Sequence, residues 1–534
     1  LFDGDTASFD YYSINDFHGN VDSSGSSKNP GLARIQTFLK SQKEMNPYSY
    51  FLSAGDHFQG TAISNLTHGE VVNEILKEMN LLASAVGNHE FDWGSDLIPT
   101  WAKDGEYKFL ASNIEVEADK KPAGWDEYVV PYMVQEHVIN GTAVKIGFIG
   151  IATPETKFKT SAENVVGFDF TDPVEATNKW VKYLKEQEHV DAVIALTHLG
   201  SFQKDGVMSG EIVEYANNVE GVDAIFTGHT HQVVNGRVND IAIVQGGYNG
   251  RNLSQITLDF EINDTVVKLL GATGNVINMT DLIPSLEEDA AVKAIVDKYY
   301  EELAPILDEV IGTLTNDLPH DTDVMQVTPM GQFIAKSLAE IGGTQIAIIN
   351  GGGIRRGFDK GDITMGLMYE LLPFDNTLVT LKVTGAELKK LIEHGLHPEN
   401  FRPGQFYGIE VWYDDKAEAG NRISTIRLLD GTLVKDDLTY TVSTLDFLLT
   451  GGDNYDYSKA TDVVDTYIPV RDVIADMIRD KEVISHVYAE HLHVGKDIRL
   501  PAAGSLGDSM YYGLGIISIL AAGVVTRKGK KKSA

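Results

Sequence analysis

Five apolar runs of strand length in the first 260 residues of this chain each close on side chains that bind metal ions. The third is the most demanding. Leu81-Leu82-Ala83-Ser84-Ala85-Val86 reads as a buried strand and ends in Gly87-Asn88-His89-Glu90-Phe91-Asp92. Those six residues offer an amide oxygen for a metal (Asn88), an imidazole that can donate a proton (His89), and a carboxylate placed to orient it (Asp92). The other runs end in Asp16-Phe17-His18, Gly55-Asp56, Thr197-His198 and Gly228-His229-Thr230-His231. Taken singly, each is an ordinary polar turn. Five in order within about 220 residues are not explained as turns.

The spacing of apolar residues predicts strands near 9–14, 50–53, 109–113, 144–151, 192–196, 224–226 and 241–244, and a helix over 31–40. Such alternation implies a layered α/β domain, and in α/β sheets sites gather at the carboxyl ends of strands. Mixed imidazole nitrogen and Asp/Asn oxygen suits borderline divalent ions such as Zn, Mn, Fe or Co. A carboxylate shared by two such ions holds them about 3.5–4 Å apart, the arrangement for phosphoryl displacement. His57 and His68 fall off the pattern and read as structural or surface histidines. Residues 284–310 read as a long acidic amphipathic connecting helix, with Ser285 as its N-cap and Glu288 at the capping-box position. A second α/β segment follows, in which Ile348-Ile349-Asn350-Gly351-Gly352-Gly353-Ile354-Arg355 runs a strand into a glycine turn. Its backbone N–H groups, Asn350 and Arg355 can grip phosphate oxygens.

The chain has 534 residues, enough for two or three domains with full cores. Its net charge of −33 repels nucleic-acid polymers, so no polymer partner is expected, although a bound metal pair can reverse the sign locally. Cysteine is absent, which excludes disulfides and thiolate chemistry and fits a surface protein of a bacterium that uses few disulfides. The chain starts at Leu1 with no basic and apolar leader, as expected after processing or trimming. Residues 511–526 are uncharged and mostly apolar and stop at Arg527, Lys528, Lys530, Lys531 and Lys532. That predicts a short membrane-spanning helix with its basic end cytoplasmic. Just upstream, Leu500-Pro501-Ala502-Ala503-Gly504 resembles the Leu-Pro-x-Thr-Gly signal of Gram-positive sortases, departing from it at Ala503. Sortase, the cell wall and the membrane are therefore the candidate anchoring partners.

Asp-x-His, Gly-Asp-x-x-x-Gly, Gly-Asn-His-Glu-Phe-Asp, Thr-His and Gly-His-x-His together resemble the calcineurin-like metallophosphoesterase core of the 5′-nucleotidase family, here of the Gram-positive cell-surface type. The resemblance implies a four-layer α/β/β/α metallophosphoesterase domain (1–282), a helical linker (283–310), a second α/β nucleotide-binding domain (311–499) and a wall-sorting-like tail (500–534). It implies one ion on Asp16, His18, Asp56 and His231, and another on Asp56, Asn88, His198 and His229. His89 and Asp92 match the family's catalytic pair. Asn350 and Arg355 match its phosphate loop. Phe374 and Phe447 match the pair that sandwiches the base, and Asp453 the aspartate that binds ribose hydroxyls. The family usually carries a second phosphate-binding arginine before the helix leading to the glycine loop; residues 323–334 contain no basic residue, leaving Arg356 or nothing in that role. The implied activity is a surface 5′-nucleotidase acting on AMP, with ADP and ATP as further candidates. The alternatives are a 2′,3′-cyclic-nucleotide 2′-phosphodiesterase/3′-nucleotidase, against which Arg355 argues, and a non-catalytic surface adhesin on the same fold.

Overall fold

A computed structural model describes residues 2–3, 6–23, 28–263, 266–396 and 402–497. The predicted strands form and divide between two sheets, except that the one expected over 109–113 ends at Leu110, with Ser112 and Asn113 in a turn. The first runs in the order Val266–Asn278, Asn252–Asn263, Thr6–Ile14, Ser49–Ser53, Leu81–Ala85, Lys108–Leu110, Val129–Val130, with Phe2–Asp3 at its side. From Thr6–Ile14 onward its strands pair in parallel, in registers such as Tyr11 with Tyr50 and Ser13 with Leu52. The second runs Val233–Val238, Ile241–Gly246, Ala224–Gly228, Ala192–Gly200, Thr142–Ala152, Tyr132–Ile139, with a parallel centre and antiparallel edges.

The two sheets pack face to face, and alternation along each strand shows why. In Thr6–Ile14, Phe9 and Tyr11 enter the core between the sheets, beside Phe148, Phe226 and Leu258. Tyr12 and Ile14 point the other way, toward Leu32 and Ile35 of helix Gly31–Met45. In Ala192–Gly200, Ile194 and Leu196 face the inner core while Val193, Ala195 and Leu199 meet Ile212 and Tyr215 of helix Glu211–Asn218. Strands buried on both faces must be apolar throughout, as these are. Each fully buried aromatic here contributes roughly 1.5–3 kcal/mol. The result is the α/β/β/α layering expected. The second segment has its own core around a five-stranded sheet, ordered Gln405–Tyr407, Ile346–Ile349, Thr439–Leu445, Thr377–Thr384, Thr461–Pro469.

The connecting helix differs from the expectation at its start. Residues Ile283–Ser285 form a separate 3-10 turn, and the helix is Ala290–Leu307. Asp289 caps it, its Oδ1 accepting from the Ala291 and Val292 N–H groups at 3.1 and 3.2 Å. Glu288 reaches Arg34 at 3.3 Å instead of serving a capping box. The predicted sorting-like stretch at 500–504 and the predicted membrane helix at 511–526 lie outside the described residues. Among the described residues, no helix is long and apolar enough to cross a membrane. Removing a cap costs about 1 kcal/mol, so Asp289→Ala should speed hydrogen exchange at the Ala291 and Val292 amides about fivefold, while Ser285→Ala leaves them unchanged.

Candidate active site

The five motif-bearing strands come from both sheets, and their carboxyl ends adjoin. Backbone geometry marks the place. Asp16, His18, Asp56, His229 and His231 all hold positive φ, between 47° and 79°, which non-glycine residues adopt only under local constraint. Each is tied down. The Asp16 side chain accepts from Asn15 Nδ2 at 2.7 Å and from the His229 N–H at 3.0 Å. Asn15 itself is fixed by Gly246 and Gly247, at 2.8 and 2.7 Å. The Asp56 side chain accepts the His89 N–H at 2.9 Å, and its carboxylate lies 3.0 Å from His198 Nε2.

Two groups of potential ligand atoms result: Asp16, His18 and His231, and Asp16, Asp56 and His198, each with its ligand atoms within 4.8 Å of one another. Several features fit divalent ions. His18 donates from Nδ1 to the Gln59 carbonyl at 2.8 Å, and His198 from Nδ1 to the Ala54 carbonyl at 2.7 Å, so each turns Nε2 toward the centre. The Nε2 atoms of His18 and His231 face each other at 3.1 Å. Burial pushes both imidazoles well below their usual pKa, with Arg355 opposing protonation of each, so their lone pairs are free for a metal. The Asn88 amide donates to the Lys159 carbonyl at 3.4 Å, while its Oδ1 is buried without any hydrogen-bond partner. A buried acceptor with no donor is costly unless something else binds it. His229 donates from Nε2 to Glu155 at 2.9 Å, which leaves Nδ1 without that hydrogen bond. In the structure it groups with Glu155 and Glu211.

The two carboxylates differ. Burial pushes Asp16 up to about 6, whereas for Asp56 the opposing pull of His198 and His89 outweighs burial and holds it well below the usual range. His89 sits beside this centre. Its Nδ1 donates to Asp92 at 2.6 Å, and Asp92 is held by the Thr160 hydroxyl at 2.8 Å. Burial disfavours the imidazolium, but Asp92 and Asp56 prevail and raise its pKa to about 9.

The second segment delivers its candidate residues to the same cavity, of about 890 Å³, lined by Asp56, Asn88, His89 and His229 from one side and by Asn350, Arg355, Phe374, Phe447 and Asp453 from the other. The Arg355 guanidinium lies 5.9 Å from the Phe374 ring centre, and that ring is 5.7 Å from His89. Phe374 and Phe447 are only half-buried, with Phe447 packed in part against the core of the second segment. Asp453 is already engaged, by Asn350 Nδ2 at 2.6 Å and by Lys159 at 3.1 Å. Arg356 does not join them; it pairs with Glu370 and donates to the Gly357 carbonyl.

Sequence reasoning missed Glu90, which lies inside the most specific motif. It is fully buried, and its carboxylate accepts from the N–H groups of Asp56, His57 and Gly87 at 2.9, 2.8 and 2.6 Å, locking two ligand-bearing loops together. An acidic residue between an imidazole and a buried phenylalanine was the available signal. His57 is structural as expected, buried between Ser53 and Ser84 and pushed down to about 3 by burial. His68 is exposed. If Asp56 is the shared ligand, Asp56→Asn should lose most divalent metal measured by mass spectrometry of the purified protein. His89→Ala should retain it, since that ring stands beside the ligands.

Residues 11–233 match the calcineurin-like phosphoesterase family, and residues 310–460 match the 5′-nucleotidase C-terminal domain. Endonuclease YhcR of Bacillus subtilis is 30% identical over 456 residues, which cover 82% of this chain and 37% of that protein. The chain thus spans little more than a third of that relative's length. Cell wall protein Lmo0130 of Listeria monocytogenes is 26% identical over 555 residues, covering 90% of this chain and 68% of the relative. Among solved structures, a 5′-nucleotidase precursor from Thermus thermophilus superposes with a TM-score of 0.77 at 26% identity, over 92% of this chain and 100% of that one. With both halves matched and the two-part architecture shared, the chain belongs to the 5′-nucleotidase family.

Proposed function

We propose that this chain is a metal-dependent 5′-nucleotidase that hydrolyses nucleoside 5′-phosphates, AMP foremost, to nucleoside and phosphate. One observation carries the reading: Asp56, Asn88, His229 and His231 of the candidate metal ligands line the same cavity as the candidate nucleotide contacts. Asp16, His18, Asp56 and His231 would hold one ion, and Asp56, Asn88, His198 and His229 the other. Two divalent ions there would supply water activation and neutralise charge on the phosphoryl group.

The chain's own residues supply the rest. Asp92 accepts a hydrogen bond from His89 Nδ1–H and fixes the ring, so Nε2–H is left to donate to a phosphoryl oxygen or to the departing 5′-oxygen. Its raised pKa keeps that proton in place at neutral pH. Arg355 and Asn350 would hold phosphate oxygens, with Arg355 retaining its charge although burial lowers its pKa to about 10. Phe374 and Phe447 would stack on the base, and Asp453 would accept ribose hydroxyls. A cell-surface location is part of the same reading, supported by the likeness to a Listeria cell wall protein and by the absence of cysteine.

Phosphate release over a nucleotide panel should be abolished by EDTA and restored by a divalent metal; activity that survives exhaustive chelation would refute the reading. His89→Ala should lower kcat by roughly 10²–10⁴. A base–aromatic stack is worth about 1–3 kcal/mol, so Phe374→Ala or Phe447→Ala should cost roughly 5–150-fold in kcat/KM for AMP. Turnover of p-nitrophenyl phosphate, which has no base to sandwich, should change far less. Equal losses on both substrates would make these phenylalanines packing residues.

A further inference from the structure

The candidate ligand histidines are not held alike. His18 and His198 give their Nδ1–H to backbone carbonyls, those of Gln59 and Ala54. His229 gives its Nε2–H to a carboxylate, Glu155 Oε2, at 2.9 Å. Its own backbone N–H meets the Asp16 carboxylate at 3.0 Å, so His229 stands between Asp16 and Glu155. A carboxylate that accepts from one ring N–H fixes the tautomer and makes the other nitrogen a stronger donor to a metal.

Glu155 is itself set in place from behind. It follows the strand Thr142–Ala152, and its backbone N–H donates to the Thr153 hydroxyl oxygen at 3.1 Å. The fully buried Thr153 hydroxyl donates in turn to Glu211 at 3.1 Å, and Glu211 also accepts the Gly200 N–H at 2.8 Å. Glu211 thus anchors Thr153, and Glu155 is the carboxylate that meets His229. The same loop serves Asn88, whose amide donates to the Lys159 carbonyl at 3.4 Å. Residues 153–160 therefore hold both Asn88 and His229, two of the candidate ligands of the second ion. Candidate ligands of the first ion are held elsewhere, Asp16 by Asn15 and His18 by the Gln59 carbonyl.

We propose that Glu155 is a positioning residue for His229: it holds Nε2–H so that Nδ1 is presented as a ligand to the second ion, the one on Asp56, Asn88, His198 and His229. The inference rests on the ligand set of the 5′-nucleotidase reading and assigns a role to a residue outside that set. Glu155 is not itself a ligand in this arrangement, because its Oε2 is engaged by the imidazole. Without Glu155 the ring is free to turn and to carry its proton on either nitrogen, and binding of the ion then includes the cost of ordering it. The Glu155 side chain is 39% exposed, so its removal leaves no buried void.

The test titrates metal-free protein with Mn²⁺ by calorimetry, without nucleotide. It compares wild type, Glu155→Ala, Glu155→Gln, His229→Ala, the double variant Glu155→Ala/His229→Ala, and Glu163→Ala. In Glu155→Ala the affinity for one ion should fall about 10–100-fold, the range for losing the outer hydrogen-bond partner of a ligand, while the other ion binds as in wild type. Glu155→Gln keeps an acceptor without the charge and should fall by roughly three- to tenfold. The double variant should bind no more weakly than His229→Ala, because Glu155 then has no ring to position. Glu163→Ala removes an exposed carboxylate from the same cavity and should match wild type; a loss there equal to that of Glu155→Ala would overturn the assignment in favour of charge alone. Losses that add in the double variant would overturn it as well, and unchanged affinity in Glu155→Ala would overturn it outright. Glu155, Glu211 and His229 have potential ligand atoms within 4.8 Å of one another, so a third ion in wild type that is absent from Glu155→Ala would overturn it by making Glu155 a ligand. Should Glu155→Ala fail to fold, the same cycle with Glu155→Gln and His229→Ala decides. A wild type that binds no ion would overturn this inference and the 5′-nucleotidase reading together. A wild type that binds two ions with this dependence on Glu155, yet releases no phosphate from nucleotides, would refute that reading and leave Glu155 assigned.

Discussion

Asp16 and Asp56 are both fully buried, with ligand oxygens within 4.8 Å of the same His198 nitrogen. Two like charges so placed, away from water, are unfavourable unless cations or hydrogen-bond donors surround them. Much of the first 260 residues can be understood as the arrangement that meets this demand. Strand ends bring the imidazoles of His18, His198 and His231. The N–H groups of His89 and His229 turn inward to the two carboxylates, at 2.9 and 3.0 Å. Positive φ at five candidate ligand positions is the local cost of aiming all these groups at one point, and the closely packed sheets beneath make that cost bearable.

Glu90 shows how far the demand extends. Placing a third carboxylate next to Asp56 raises its pKa to about 7, chiefly by burial and then by the Asp56 charge. It is nonetheless held by three backbone N–H groups that belong to the loops carrying Asp56 and Asn88. A side chain that only filled space would not need to be ionisable. Here its two oxygens connect loops from neighbouring strands, and the register of Asp56 against Asn88 depends on that connection.

The inner part of this arrangement was legible in the sequence because metal chemistry restricts residue type. Asp, His and Asn at strand ends have few other reasons to recur in order, whereas the four-layer arrangement was implied only by the resemblance of those motifs to the metallophosphoesterase core. The outer part was not legible. Asn15, Glu155 and Glu90 act through hydrogen bonds to groups near and far in sequence, Asn15 reaching Gly246 and Glu155 reaching His229, and no local spacing announces such pairs. The helix start was misread for a related reason. Ser285 with Glu288 has capping-box spacing, but Arg34 draws Glu288 away and Asp289 offers a carboxylate directly to the first turn.

The same cleft also explains why two segments are needed. The candidate metal ligands come from before residue 232, whereas the candidate nucleotide contacts Asn350, Arg355, Phe374, Phe447 and Asp453 follow residue 349. Contacts between the segments at this place include Lys159 with Asp453, Asn65 Nδ2 with the Pro373 carbonyl at 3.2 Å, and the rings of His89 and Phe374, 5.7 Å apart. Lys159 and Asp453 are both largely shielded from water, so parting them without replacement would strand a charge. Asp453 has two oxygens, one taken by Asn350 and one by Lys159, and each can accept a further hydrogen bond. Contact between the segments and the candidate ligand contacts thus draw on the same side chain, Asp453.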